Sequence, residues 1–466
     1  MAKKEPKVMS VVTVPLKTEK WQEDVLQKRF ELCRKIYNNM LHYEKKQLNK
    51  AIRDKRYVDA KRIINDTYKI VDEKEKKEKK KSEEYKNAVQ VSNDVLKEYG
   101  LTEFGFTNGI TPFRKVYQTN IPSVVGNISI AKPMWAAMEK LLFGNGKTVH
   151  YKKYNTWASM ASDGKSGIRM INAEGKTMFN REKDEPMFIC MSSPKGRKLV
   201  MPMKIDKKDL YKIEMLTHKL KIIRITRKLC GSKYQYYAQL TVEGAPAVRY
   251  DKDGNEKNPV GTGKIGIYSD TTSITLALEN GETEKFSLNR DNNSQDKIVE
   301  LQRYMDNSRR AMNPDNYNED GTIKKGIMED GKRRKLRWVE SNGYKKAKLE
   351  LQNLYRIESE KRRLEHQILS NKILSYGNEI VVNDYAFQAA AMRKQIKNET
   401  TGETERHKKA GKAIGENAPA TLVALLENKL KTKTGNAIMR IKLEEVDYTK
   451  ENYREFYAQE LLNQIL

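Results

Sequence analysis

The second half of the chain narrows the fold most. "GKIGIYSDTTSITLALENG", Gly263 to Gly281, reads as two short apolar strands around a polar turn. A long insertion and a helix follow. Then comes "NEIVVNDYAF", whose continuous Ile380-Val381-Val382 run fits a strand buried on both faces. "APATLVALLENKL" reads as a helix and "NAIMRIKLEEV" as a last strand. Paired strands first, then helices alternating with strands, predict an α/β sheet covered on both faces.

The first half has a different grammar. Residues 8–14, "VMSVVTV", form a strand ended by Pro15, and Thr18 is a candidate N-cap for the helix that follows. Leu26, Phe30, Cys33, Tyr37 and Met40 repeat at steps of four and three, a helical stripe. Residues 55–97 continue helical and very polar, and their run "DEKEKKEKKKSEE" reads as a solvated face or flexible tip. Another amphipathic helix ends at Gly144 or Gly146. From there to about residue 245, short apolar runs alternate with turn formers. The clearest piece, "LKIIRITRKLCGSKYQYYAQLTV", is a hairpin turning at Cys230-Gly231-Ser232-Lys233. The turn-rich 249–263 segment marks a domain boundary.

Charge limits the partners. A 466-residue chain with 90 Lys and Arg against 62 Asp and Glu carries a formal +28. Such an excess repels itself unless a polyanion neutralises it, so nucleic acid is the expected partner and a membrane surface the runner-up. No long apolar run and no export signal is evident, so a cytoplasmic, nucleoid-associated location is expected. Cys33, Cys190 and Cys230 have no CxxC spacing, which suggests neither a zinc ribbon nor a disulfide framework. Basic and aromatic side chains interleave on the hairpin at Arg224, Arg227, Lys228, Lys233, Tyr234, Tyr236 and Tyr237. That mixture suits phosphate contact with base stacking, as well as an ordinary charged barrel face.

The order of these pieces resembles TnpB, the transposon-encoded RNA-guided nuclease, and more closely the miniature type V CRISPR effectors. The matching segments are "RKIYNNML", "VHYKKY", "GIYSD" in place of a GIDxG strand, "YRIESEKRRLEH", "IVVNDY" in place of IVVExL, and "APATLVALLENKL". The resemblance implies an α/β multidomain protein. Residues 1–16 would give the first strand of a wedge β-barrel, 17–145 a helical recognition lobe, 146–250 the rest of the barrel and 251–263 a linker. Residues 264–466 would form a ribonuclease-H-like RuvC domain with a helical insertion at 295–375. It also implies a guide RNA and a double-stranded DNA target, with sequence read by base pairing beside a short motif. Lys152, Lys153, Arg224, Arg227, Lys228, Tyr236, Arg309, Arg310, Arg362 and Arg363 are the expected nucleic-acid contacts.

In that family three carboxylates hold two divalent metal ions for cleavage. The first falls here on Tyr268, a neutral phenol, with Asp270 two residues on and about 6–7 Å along the strand. The second falls on Asn383, with Asp384 adjacent but on the opposite strand face. The third normally follows a zinc ribbon; "VDYTKENYREFYAQELLNQIL" has no cysteine, and Glu444, Glu445 and Asp447 lie nearby. The expectation is therefore no intact catalytic or metal site and no cofactor beyond guide RNA. The output would be regulation by occupancy, or by recruiting a sigma factor or RNA polymerase through the insertion after Arg310 or the tail 448–466. A homodimer is expected by analogy. The alternatives are an active Mg²⁺-dependent RNA-guided endonuclease using Asp270 and Asp384, and a structural RNA-binding protein without a DNA target.

Overall fold

The computed structural model describes residues 8–465 apart from 118–119, 145, 183, 193–197, 290–293, 330–331, 392–393, 398–403, 408–409 and 444–445. The chain divides into two compact units. One comprises Met1–Lys228 and Tyr234–Ala247, the other Leu229–Lys233 and Val248–Leu466.

The first unit opens with strand β1 (Met9–Pro15) and the long helix α1 (Lys20–Ala51). Thr18 is not the cap. Glu19 occupies that position, and its capping box is closed by Gln22, whose Oε1 accepts the Glu19 N–H at 3.0 Å. The stripe from Leu26 to Met40 is fully buried, as its spacing requires. Helices α2 (Lys55–Lys69), α3 (Glu73–Lys81), α4 (Glu83–Glu98) and α5 (Glu103–Lys115) follow. Helix α3 is the lysine–glutamate run; it is capped by Asp72 and buries no residue. Helix α6 (Ser123–Gly126) passes through a π-helical turn, Asn127–Ala131, into α7 (Lys132–Phe143).

Strands β2 (Ser159–Ser162), β3 (Ile168–Ile171), β4 (Thr177–Met178), β5 (Phe188–Met191) and β6 (Leu199–Pro202) come next. After helix α8 (Leu210–Thr217), β7 (Leu220–Cys230) and β8 (Lys233–Glu243) form the expected hairpin. They build two four-stranded sheets, ordered β1-β8-β7-β2 and β4-β3-β5-β6. One apolar core joins the α1 stripe to the inner faces of both sheets.

The second unit is built on a five-stranded sheet. Strands β9 (Lys264–Ser269), β10 (Ser273–Leu278) and β11 (Thr283–Ser287) run antiparallel. Helix α9 (Gln295–Met312), a small hairpin of β12 (Ile327–Glu329) and β13 (Lys332–Arg334), and helix α10 (Asn342–Tyr376) lead to β14 (Glu379–Asn383). Beyond it lie α11 (Phe387–Ala391), the β15 (Lys394–Lys397) and β16 (Thr404–His407) hairpin, α12 (Gly411–Asn417), α13 (Pro419–Thr434), β17 (Met439–Ile441) and α14 (Tyr453–Asn463). The sheet order is β11-β10-β9-β14-β17, with β14 parallel to both β9 and β17.

Strand alternation divides the side chains between two layers. Ile265, Ile267, Ile274, Leu276, Ile380 and Val382 face a core with α10 and α13. Tyr268, Ala277 and Val381 face a second core made by Tyr457, Ala458, Leu461 and Leu462 of α14. Much of the tail proposed for partner recruitment is thus a packing layer of the sheet. Gly266 permits this approach: a Cβ there would overlap the Ala458 carbonyl oxygen and lie 2.5 Å from the Leu462 nitrogen.

Candidate functional site

Three polar positions gather at the end of β9, on the face covered by α14. Tyr268 is 1 % exposed. Its ring stacks on Tyr457 (centroids 5.9 Å) and meets the edge of Tyr453 (5.9 Å). Burial, and then the neighbouring phenols and Asp270, push its hydroxyl well above the ordinary tyrosine range. It is a packed core residue held neutral.

Asn383 is buried between β14 and β9. Its Oδ1 accepts the Ser269 N–H at 2.7 Å and its Nδ2 donates to the Ser269 carbonyl at 3.0 Å. Both ends of the amide are used on one backbone unit. A carboxylate could make only the first of these bonds.

Asp270 lies just beyond β9, in the turn to β10. Its Oδ1 accepts the N–H groups of Thr272 and Ser273, each at 2.7 Å, and the Thr272 hydroxyl at 3.1 Å. Its Oδ2 accepts the Ser273 hydroxyl at 3.2 Å and the Arg454 Nε–H at 2.6 Å. Burial alone would raise its pKa. The turn amides and the guanidinium outweigh that and hold the carboxyl below 3.8. Two-residue spacing predicts the shared face, but not that the carboxylate closes its own turn.

The other acidic candidates lie apart. Asp384 is exposed, and its N–H bonds the Ile441 carbonyl at 2.7 Å, extending the pairing with β17. Asp447 is exposed and caps a turn through Thr449. Glu444 and Glu445 lie outside the described residues. Among the described residues, no group of three or more His, Cys, Asp or Glu is placed to hold a metal ion. A magnesium ion requires oxygen ligands at about 2.0–2.1 Å in near-octahedral array. Around Tyr268 and Asn383 the donors are one buried phenol, one amide spent on backbone and one carboxylate with five protein donors. That set does not fit the ion.

Arg454, Tyr453, Tyr457 and Gly266 are the residues that sequence reasoning missed. Tyr453, Tyr457 and Leu461 recur every four residues, as do Arg454, Ala458 and Leu462. That spacing marked a helix with a wide buried face.

The expected nucleic-acid contacts fare unequally. Arg227 is buried. Its guanidinium lies over Phe30 (4.9 Å) and Tyr234 (4.4 Å). It donates to Gln27 Oε1, Asn155 Oδ1 (2.9 Å) and the Trp157 carbonyl (2.8 Å). With its charge spent inside the unit, it is a structural residue and not a surface phosphate contact. Tyr236 is also buried, and desolvation pushes its hydroxyl up to about 12. These two positions face inward because alternation along β7 and β8 puts them on the core side.

Arg224, Lys152 and Lys153 are exposed. Lys152 and Arg224 line a groove of about 310 Å³ with Tyr37, Trp157, Pro133 and Ser159. The Lys152 ammonium lies 5.5 Å from the Tyr37 ring centre. Lys228 is half-buried, over the Tyr237 ring.

In the second unit, Arg309 stacks on Trp338 at 3.7 Å, and Arg310 binds Asp306 and the Gly321 carbonyl. Arg362 donates to the Gly415 and Glu416 carbonyls. Arg363 is exposed. Three of these four arginines brace their own surroundings.

No protein-family model matches the chain. No curated protein matches it either. Solved structures do. Cas12 complexes are among the solved structures to which the chain is similar. A Cas12f1–sgRNA–target DNA complex aligns over 97 % of this chain and 94 % of that chain, at 8 % identity and a TM-score of 0.36. A CRISPR–Cas12f ternary complex aligns over 96 % and 80 %, at 11 % identity and 0.25. A Cas12i1 R-loop complex captured before target DNA cleavage aligns over 91 % and 56 %, at 8 % identity and 0.28. At these values the function has to be argued from the chain's own residues. Among the described residues, no helix is long and apolar enough to cross a membrane.

Proposed function

We propose that this chain is an RNA-guided DNA-binding protein whose RuvC-like domain does not cut. The observation that carries the second half of the reading is the end of β9. Tyr268 is packed, Asn383 is bonded twice to Ser269, and Asp270 is paired with Arg454. Two-metal hydrolysis needs carboxylates free to bind the ions and activate water. None of these three side chains is in that condition.

The first half rests on charge and on the ordered motifs. A net +28 calls for a polyanion. Exposed Lys152 and Arg224 beside Tyr37 and Trp157 offer phosphate contacts with an aromatic floor, and Lys153 is exposed next in sequence. In this reading α1 to α7 form the recognition lobe and the two four-stranded sheets the wedge barrel. The five-stranded mixed sheet, with helices on both faces, supports the RuvC-like reading of residues 264–466. Guide RNA and duplex DNA are the partners. Regulation follows from occupancy of the paired site, and sigma factor, polymerase or a second copy would be added partners. With α14 packed on the sheet, the insertion after Arg310 is the better recruitment surface.

The test is direct. Co-purified RNA is sequenced, and a DNA duplex matched to it is incubated with the complex and Mg²⁺ or Mn²⁺. The expected result is a guide-dependent gel shift without cleavage products. Guide-dependent products overturn the inactive reading, and RNA binding without DNA retention overturns the DNA-binding reading.

A further inference from the structure

The failure of the donor set to fit a metal ion has a positive side. The polar end of β9 is not an unfilled hole. Its one carboxylate is neutralised, and its volume is filled, by a single helix from the same chain. Asp270 is 8 % exposed, and its carboxylate meets the Arg454 Nε at 2.6 Å. Arg454 also lies over the Tyr453 ring at 4.7 Å. One residue before it Tyr453, and three residues after it Tyr457, pack against Tyr268. The Tyr457 hydroxyl accepts the Asp447 N–H at 2.7 Å, which ties the segment entering the helix to the helix itself. Gly266 lets the Ala458–Leu462 turn sit directly on β9. The contacts of Asp270, Tyr268 and Gly266 all join α14 to β9 and its turn.

We infer that Arg454 is a built-in organic cation that takes the place of a metal ion at the end of β9, and that α14 is the plug that delivers it. A buried carboxylate needs a counter-charge and hydrogen-bond donors. A guanidinium supplies both and is never deprotonated in a protein, so the pairing needs no exchangeable ion. The same charge repels any divalent cation approaching Asp270. Divalent ions are therefore excluded twice: by the loss of carboxylates at 268 and 383, and by a resident positive charge.

This deepens the inactive-nuclease reading and rests on it for the meaning of the site, but its test is separate. Carboxylates are restored in the full chain as Tyr268→Asp with Asn383→Glu, and Mn²⁺ binding is measured by calorimetry. Arg454→Gln is then added, and in a parallel protein Arg454→Lys. The expected result is at least tenfold tighter Mn²⁺ binding with Gln than with Arg, and no such gain with Lys. Equal affinity for Arg and Gln, or equal gain with Lys and Gln, overturns the role of the charge. Absence of Mn²⁺ binding in all three overturns it as well.

A second measurement covers misfolding of the restored site. In the otherwise unchanged chain, Arg454→Gln should speed amide hydrogen exchange at least tenfold in both 268–273 and 453–463. Unchanged exchange in either segment overturns the plug. Cleavage by the unsubstituted protein would defeat the inactive reading without touching either of these comparisons.

Discussion

Replacing Asn383 by aspartate changes one atom and tests the reason an amide stands there. In the native chain Nδ2 donates to the Ser269 carbonyl at 3.0 Å while Oδ1 accepts the Ser269 N–H at 2.7 Å. Asn383→Asp keeps the second bond. It turns the first into an oxygen facing an oxygen at a site 6 % exposed to solvent. Leaving that carbonyl unpaired costs about 2 kcal/mol. The new carboxyl can recover the bond only by keeping its proton, so its folded pKa lies above its unfolded value of about 3.9.

The sign follows. Below about pH 4 the carboxyl is protonated in both states, donates, and costs little. As pH rises through the unfolded value, stability falls by about 1.4 kcal/mol per unit until the folded pKa is passed, and then levels. The assay is amide exchange of the 263–273 segment at pH 5 and pH 8. Relative to the native chain, protection in the variant should fall about threefold between them and stand about thirtyfold lower at pH 8. Equal protection of variant and native protein at pH 8 would refute the account of Asn383 as a two-bond bridge.

Gly266→Ala places a methyl 2.5 Å from the Leu462 nitrogen. Overpacking of that kind costs about 1–3 kcal/mol, read as faster exchange in 453–463. Arg227→Ala strips a buried network and should cost about 3 kcal/mol in urea unfolding, with the salt slope of RNA binding unchanged. Arg224→Ala should do the reverse: stability within about 0.5 kcal/mol and a salt slope lower by about one. Glu44, 3 % exposed, has its pKa pushed by burial from 4.5 to about 7. It costs nothing below 4.5, and about 3 kcal/mol accumulates as pH rises through 7. Glu44→Gln should therefore stabilise the protein at pH 8 and leave it unchanged at pH 4.5, as measured by urea unfolding at each pH.

Periodicity and charge made much of this protein legible before any coordinates. The four-and-three stripe from Leu26 to Met40 could only be one buried helix face, because those steps return to one side of a 3.6-residue turn. The Ile380-Val381-Val382 run required cover on both faces, and α10, α13 and α14 supply it. Residue chemistry at 268 and 383 was also plain, since a phenol and an amide are neutral side chains and not carboxylates.

What the chain could not state alone was which neighbours those residues would meet. Asp270 is two residues from Tyr268 in sequence, but its partner Arg454 is 184 residues further on. The tail 448–466 was expected to recruit a partner, because its sequence says nothing about which surface it covers. Arg227 and Arg224 have the same chemistry, yet three residues along a strand turn one into the core and leave the other in water. Local pattern is written in spacing and survives in one dimension. Which carboxylate is neutralised, and by which cation, depends on long-range packing, and only the folded chain decided it.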